Sequence, residues 1–400
     1  MSFEITDGVK WVGKIDWELE SFHGEELSTH RGSSYNSYLI QDEKTVLIDT
    51  AWKPYAKEFV EELKQEIDLQ DIDYIIANHG EVDHSGALPE LMREIPDTPI
   101  YCTKNGVKSI KGQYHQDWNF VEVKTGDKLN LGSKELIFVE ARMIHWPDSM
   151  FCYLTEDNIL FSNDAFGQHY ASEQMYNDLV DGCELYQEAM KYYANIVNPF
   201  SKLVEKKINE VLELKLPVNM ICPSHGIIWR DNPLQIVDTY MEWAKDYQED
   251  QITIIYDTMW DGTKKTAEAI VEGLVKESRE NNNQTDVKLI NAAKMDKSDI
   301  ITEVFKSKAI LVGSPTVNKG ILYYVAGILE LIKGAGFKNK KAAAFGRYGW
   351  SGESVGIITE KLKEAGFEVV SDGYREVWNP DQEEVEKIKD FAKELYNKFQ

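Results

Sequence analysis

Within six consecutive residues, HGEVDH, the chain gathers two imidazoles and two carboxylates: His79, Glu81, Asp83 and His84. The run follows DYIIAN, an apolar stretch of strand character, and a loop leaving a buried strand can aim all four side chains inward. His145 in MIHWPDS, Asp164 in LFSNDAFGQH and His225 in CPSHG stand at three more such positions, each just past a predicted strand. Any one of these histidines alone is more often a satisfied core or surface residue than a ligand. Seven nitrogen and oxygen donors recurring at strand ends point instead to a bound metal. His23, in FHGEE, is balanced between a structural role and a place in the same pocket.

The elements that must position these groups change character along the chain. Up to about residue 250 there are short strands with turn signals: SYNSYLIQ, KTVLIDT, DYIIANH, KLNLGSKELIFVEA, FCYLTEDNILFSND and NMICPSH. Helical stretches such as YAKEFVEELKQEI and SKLVEKKINEVLEL fall between them, which predicts a layered α/β sheet with helices outside. From Gln251 onward strand and helix alternate five times, which favours a parallel sheet covered on both faces in the doubly wound order 2-1-3-4-5. The polar stretch EWAKDYQED separates the two patterns, so domains are expected over 1–249 and 250–400.

Ligands of a doubly wound sheet sit at the carboxyl ends of its strands, where the order reverses. Three loops there are candidates. The first is Thr258, Met259, Trp260, Asp261, Gly262 and Thr263, between strand and helix, where hydroxyls and backbone N–H groups can hold a phosphate. The second is Ser314, Pro315, Thr316, Val317 and Asn318. The third is Gly346, Arg347, Tyr348, Gly349, Trp350, Ser351 and Gly352. Small residues let backbone approach the edge of a flat ring system, and Tyr348 or Trp350 can cover its face. No G-x-G-x-x-G opens a βα unit, so a bound nicotinamide dinucleotide is not indicated.

The donor set resembles the signature of the metallo-β-lactamase fold, in which His-x-His-x-Asp-His is followed by a distant His, a bridging Asp and a final His. Glu81 stands where those hydrolases carry their second histidine. Carboxylates suit harder, higher-valent ions and can bridge two of them, whereas a nitrogen-rich set suits zinc, so the exchange favours redox-active iron. Joined in this order to a flavodoxin-like half, the chain resembles the flavodiiron proteins over essentially its whole length. That resemblance implies a metallo-β-lactamase-like αββα sandwich followed by a flavodoxin-like doubly wound parallel five-stranded sheet, with FMN and two non-haem Fe ions as cofactors. It implies that His79, Glu81 and His145 hold one iron, that Asp83, His84 and His225 hold the other, and that Asp164 bridges them. In some members the counterpart of His84 turns away from the metal. His169 and Tyr193 fall where the family lines its substrate pocket with groups that donate protons or hydrogen bonds. TMWDGT resembles the flavodoxin phosphate loop, with Asp261 where the family more often has glycine.

The activity implied is that of an oxidoreductase whose flavin passes electrons to the irons, reducing nitric oxide to nitrous oxide or dioxygen to water. Both gases demand the same ligand set. Some relatives append a rubredoxin module with paired C-x-x-C motifs, which this sequence lacks, so a separate donor is expected, such as rubredoxin or a reduced deazaflavin coenzyme. The family's head-to-tail pairing, flavin of one chain against irons of the other, implies a homodimer or homotetramer.

Composition narrows the remaining classes. The 400 residues carry 44 basic and 68 acidic side chains, a formal charge of −24 that repels nucleic acid and anionic lipid, so neither is an expected partner. No apolar run approaches the ~18 residues that cross a bilayer. The start, MSFEITDGVKWVGKIDW, has charges where an export signal has its apolar stretch, so the cytoplasm is the expected location. Cys102, Cys152, Cys183 and Cys222 form no C-x-x-C and read as reduced thiols, mostly buried. Two rival readings stand beside the main one: a dinuclear zinc hydrolase with an accessory flavodoxin domain, and a plain flavin electron carrier in which HGEVDH is structural.

Overall fold

Tyr38, Ile40, Val46, Ile48 and Ile76 alternate with Leu39, Leu47 and Ile75 along three neighbouring strands, and both sets are buried. Strands apolar on both faces must be covered twice. In the computed structural model, which describes residues 2–400, the first set packs against Leu136, Phe138, Met150, Cys152, Leu154 and Phe161 of a second sheet. Tyr38 meets Phe161 at 5.0 Å between ring centroids, and Tyr101 stacks on Phe138 at 6.1 Å. The first sheet has seven strands and the second five. Helices such as Ala56–Glu66, burying Phe59, Val60 and Leu63, and Leu234–Trp243, burying Ile236, Val237 and Tyr240, complete the αββα sandwich. Strand Ile159–Asn163 runs parallel to Met220–Pro223, so the loops after both leave at the same edge of the second sheet.

The chain divides into two units. One comprises residues up to Glu25, Thr29–Tyr192 and Phe200–Ala244; the other Glu26–Ser28, Tyr193–Pro199 and Lys245–Gln400. The boundary expected between 249 and 250 lies within the first residues of the strand Glu249–Tyr256.

In the main sheet of the second unit the strands are all parallel and run in the order Asp286–Asn291, Glu249–Tyr256, Ser307–Gly313, Lys341–Tyr348, which is 2-1-3-4 in sequence. The fifth position is shared by two short strands, Glu368–Val369 and Tyr374–Val377, both paired with Lys341–Tyr348. Gly373 between them explains the break: its φ is 87°, and a Cβ there would stand 2.7 Å from the Ala344 carbonyl oxygen. On one face the helix Gly262–Glu280 packs Ala267, Ile270 and Leu274 with Ile388, Ala392 and Leu395 of Gln382–Phe399. Truncating a side chain such as Ile270 there costs about 2–5 kcal/mol.

All four cysteines are free thiols. Cys102, Cys152 and Cys222 are buried, and Cys183 is exposed. Among the described residues no helix is long and apolar enough to cross a membrane.

Candidate metal centre and flavin cleft

The strand Tyr74–Ile76 delivers the HGEVDH loop, whose last residues form the short helix Val82–Ser85. Gly80 is required in that loop because a Cβ would approach Ser109 Cβ to 2.6 Å and Asp148 Oδ2 to 2.9 Å. Asn163 and Phe166 bracket Asp164 with left-handed backbone, φ 52° and 67°, so the chain turns sharply on either side of that carboxylate.

These turns bring the seven expected donors together in two groups that share Asp164. In the first, Glu81 Oε2 stands 3.2 Å from His79 Nε2 and 3.6 Å from His145 Nε2, and Asp164 Oδ2 stands 3.7 and 3.5 Å from the same two nitrogens. In the second, Asp83 Oδ2 lies 3.1 Å from His84 Nε2 and 2.9 Å from His225 Nε2, with Asp164 Oδ1 2.9 and 3.6 Å from them. Donors bonded to one ion at about 2.0–2.2 Å are separated by roughly 3–3.5 Å, the spacing seen in both groups. Neither oxygen of Asp164 takes a directed hydrogen bond, although both are buried. Buried carboxylate oxygens without hydrogen-bond partners are costly unless a cation answers them. The donor set therefore fits a pair of ions.

Electrostatics say the same. Burial alone would lower the imidazoles of His79 and His84, but neighbouring carboxylates outweigh it: Asp148 and Glu81 hold His79 well above its ordinary value, and Asp164 and Asp83 raise His84 to about 9. Burial would raise Asp164, but His84, His79 and His145 pull it well below the usual carboxylate range. At His145 burial prevails and lowers the imidazole. The pocket demands positive charge, which metal ions supply once the imidazoles give up their protons.

Supporting groups fix the ring orientations. The Ser34 carbonyl can only accept, so at 2.8 Å it places the proton of His225 on Nδ1 and leaves Nε2 facing Asp83. Asp148 pairs with His79 by charge, with Oδ1 3.0 Å from Nδ1 but without hydrogen-bond alignment, while its Oδ2 accepts from the Gly80 N–H at 2.9 Å. Asp148 was not among the expected residues. Its signal was present, an acid three positions after His145 in HWPDS, but it lies behind His79 and outside the two donor groups, so a search for ligands passed over it. His23 Nε2 stands 3.3 Å from Glu81 Oε1; burial would lower this imidazole, but Glu81 outweighs it and raises it.

His169 is buried with Nδ1 2.7 Å from Ser33 Oγ, Nε2 without a partner, and its ring 5.0 Å from that of His225. The tyrosine ring beside it, at 5.3 Å, belongs to Tyr192. Tyr193, expected in this pocket, is instead placed with its ring 5.7 Å from Phe305. Successive residues of a helical turn project about 100° apart, so only one of the pair can face His169.

In the second unit, Thr258, Met259, Trp260, Gly262, Thr263, Pro315, Thr316, Arg347, Tyr348, Gly349 and Trp350 line a cleft of about 280 Å³ at the carboxyl ends of the strands. Trp378 and Asn379, which were not anticipated, complete it from the end of the last strand. Asp261, Ser314, Val317, Asn318, Gly346, Ser351 and Gly352 do not line it. Ser314 is occupied within its own loop, donating to the Pro315 carbonyl and accepting from the Leu322 N–H, each at 2.9 Å. Asp261 precedes the helix Gly262–Glu280 with φ 62°, a left-handed conformation that glycine adopts most cheaply and aspartate tolerates. The hydroxyls of Thr258 and Thr263 are buried and without hydrogen-bond partners at that helix N-terminus. Unanswered donors at the start of a long helix fit a phosphate group, and the cleft beyond them, lined by Tyr348 and Trp350, fits a flavin ring.

A lactamase-type sandwich with a carboxylate-rich dinuclear site, joined to a doubly wound flavin-type domain, defines a class, and comparison with known proteins agrees. Residues 34–226 match the model of the ODP family beta lactamase and residues 254–391 that of flavodoxin. The chain is 53% identical over 397 residues to the anaerobic nitric oxide reductase flavorubredoxin of Escherichia coli O1:K1, covering 99% of this chain and 82% of that protein. Rubredoxin oxygen:oxidoreductase of Desulfovibrio gigas superposes with a TM-score of 0.95 at 36% identity, covering 100% of this chain and 98% of that one. The flavodiiron protein of Giardia intestinalis superposes with a TM-score of 0.92 at 30% identity, covering 100% and 97%. The chain belongs to the flavodiiron proteins. It is an oxidoreductase, and its cofactors are FMN and a non-haem diiron site.

Proposed function

We propose that this protein reduces nitric oxide to nitrous oxide, dioxygen to water, or both, at two irons held by His79, Glu81 and His145 on one side and by Asp83, His84 and His225 on the other, with Asp164 shared. The observation that carries this reading is the division of Asp164: Oδ2 faces the first group of donors and Oδ1 the second. When bound, the irons and FMN supply electron storage and transfer, which no side chain offers.

The protein's own groups set the conditions. The Ser34 carbonyl holds His225 with Nε2 toward the centre, and the Asp148 carboxylate lies as a charge partner beside Nδ1 of His79. Burial pushes the His169 imidazole well below its ordinary pKa and so favours the neutral ring, whose Nδ1 meets Ser33 Oγ and whose Nε2 is left free to exchange a proton or a hydrogen bond. Burial pushes the Tyr192 hydroxyl well up, so it keeps its proton and acts as a hydrogen-bond donor. Tyr192 thus takes the role expected of Tyr193. Phe22, whose ring lies 4.7 Å from His169 and 5.7 Å from His225, helps exclude water.

In the second unit, the Thr258 and Thr263 hydroxyls receive the flavin phosphate, and Tyr348 and Trp350 border its ring. Electrons reach the flavin from a separate donor, rubredoxin or a reduced deazaflavin coenzyme, in the cytoplasm. The active form is a head-to-tail homodimer or homotetramer. Support comes from the cleft rim, where Trp260 and Trp350 are 83% and 89% exposed, an apolar surface that a partner would cover.

The test is metal analysis after anaerobic purification, together with consumption of both gases by the reduced protein. About two irons per chain with gas turnover is the expected result; two zincs and no turnover would return the zinc-hydrolase reading. Replacing His79 by Asn abolishes turnover on this reading and leaves it unchanged if the protein is only a flavin carrier. A tenfold preference between the gases corresponds to ~1.4 kcal/mol in barrier, so both must be measured.

A further inference from the structure

Arg347 is an arginine in an unusual position. It ends the strand Lys341–Tyr348, is 3% exposed, and lines the flavin cleft. Its Nη1 pairs with Glu384, from the first turn of the helix Gln382–Phe399, and Tyr374 donates to the same Glu384 oxygen at 3.3 Å. That pairing uses one corner of the guanidinium. Nε and Nη2 are buried and have no partner. A buried guanidinium with two idle N–H groups is expensive unless an anion meets it, and its planar fork matches an oxyanion well.

The position of the side chain says which anion. A Cβ built on Gly262, the first residue of the helix at the phosphate loop, would stand 3.6 Å from Arg347 Cγ. The buried and unpartnered hydroxyl of Thr263 is on the next residue. Among the described residues lining the cleft, Arg347 is the one with a charged side chain. Asp261 precedes the same helix, so the loop itself brings negative charge that a phosphate dianion would feel. Lys264, in the first helical turn, is nearly half exposed and lies 3.8 Å from Glu268.

Building on the flavin assignment above, we propose that Arg347 makes this cleft selective for a phosphorylated flavin: its free Nε and Nη2 bind the FMN phosphate, and Glu384 holds the guanidinium in place through Nη1. The flavin's own ring is bordered by other residues and gains nothing from this contact. Arg347 is therefore a specificity residue that distinguishes FMN from riboflavin.

The experiment compares FMN and riboflavin binding to the flavin-free, full-length protein by fluorescence quenching, for the wild type, Arg347→Lys and Arg347→Met. Charge-assisted hydrogen bonds predict a loss of FMN affinity of at least about tenfold in Arg347→Met and a smaller loss in Arg347→Lys, with riboflavin affinity unchanged. Arg347→Lys keeps a cation beside Glu384, and an unchanged melting temperature in either variant separates a binding effect from a folding one. Should Arg347→Met fail to fold, the Arg347→Lys result and the double variant Arg347→Met/Glu384→Gln, which buries no lone charge, decide. Equal weakening of both flavins, or no weakening of FMN, overturns the inference while leaving the cofactor intact. A wild-type protein that binds neither flavin overturns the flavin assignment itself.

Discussion

The two sites solve the placement of a cofactor in opposite ways. The metal centre is built of charged and titratable side chains, nearly all buried, that answer one another across distances of 2.9–3.7 Å. The flavin cleft is built of loop backbone, a few hydroxyls and one arginine, with tryptophans left on its rim. A bare metal ion presents only charge, so its site must supply several directed donors and balance that charge. A flavin nucleotide brings its own shape, and a helix N-terminus with room beside it is enough to begin binding. The metal centre thus commits many residues and tolerates few changes, whereas the cleft spreads its recognition over groups that each matter modestly.

That contrast can be broken by experiment. Asp164→Ala should have the largest effect, because it removes an oxygen from both donor groups: metal content falls well below one ion per chain and gas consumption falls to background, while FMN binding persists. Retention of two irons would show that the centre is less interdependent than its geometry implies.

Removing the metal should expose a pH dependence. Burial opposes the charged imidazole of His84, but Asp164 and Asp83 raise it to about 9, against about 6.5 unfolded. The metal-free folded protein then binds the extra proton between those values. Its stabilising effect is complete below about pH 6.5 and lost as pH rises through about 9, a change of a few kcal/mol at most. Chelator-treated protein should therefore lose roughly 5 °C in melting temperature between pH 6.5 and 9 relative to metal-loaded protein, whose imidazoles hold no such proton. Parallel melting curves for the two forms would contradict it.

Asp148→Asn keeps the shape of the group paired with His79 but removes its charge. Metal affinity measured by chelator competition should fall about 10–100-fold. An unchanged affinity would mean that the HGEVDH loop holds His79 unaided. The smallest effect should come from the cleft: Thr263→Val deletes one unpartnered hydroxyl and should weaken FMN by about tenfold or less. A loss as severe as that from Asp164→Ala would erase the distinction between the two sites.

Much of this was legible in the residues, and the reasons differ by site. The alternation after Gln251 dictated the parallel sheet, because a strand and a helix each declare their period locally. Its fifth strand did not read as split, since the interruption at Gly373 depends on how closely Ala344 approaches. The candidate donors at 79–84, 145, 164 and 225 stood out because seven donor-type side chains at strand ends have few other uses. Asp148 did not, because a carboxylate that supports a ligand looks like any surface acid until its partner is known. Tyr192 and Tyr193 are chemically identical neighbours, and only the rotation of their helical turn chose between them. Trp378 and Asn379 join the cleft from a strand whose end gave no chemical hint.

The amino-acid order by itself determined the kinds of donor available, the period of each element and hence the two architectures. Those properties reside in single residues or in short runs of them. Which oxygen of Asp164 faces which group, which tyrosine meets His169, and which edge of Arg347 is left free were decided by the tertiary structure alone. Each of these depends on distances between residues remote in sequence, which exist only once the sheets have packed and the loops at their edges have converged.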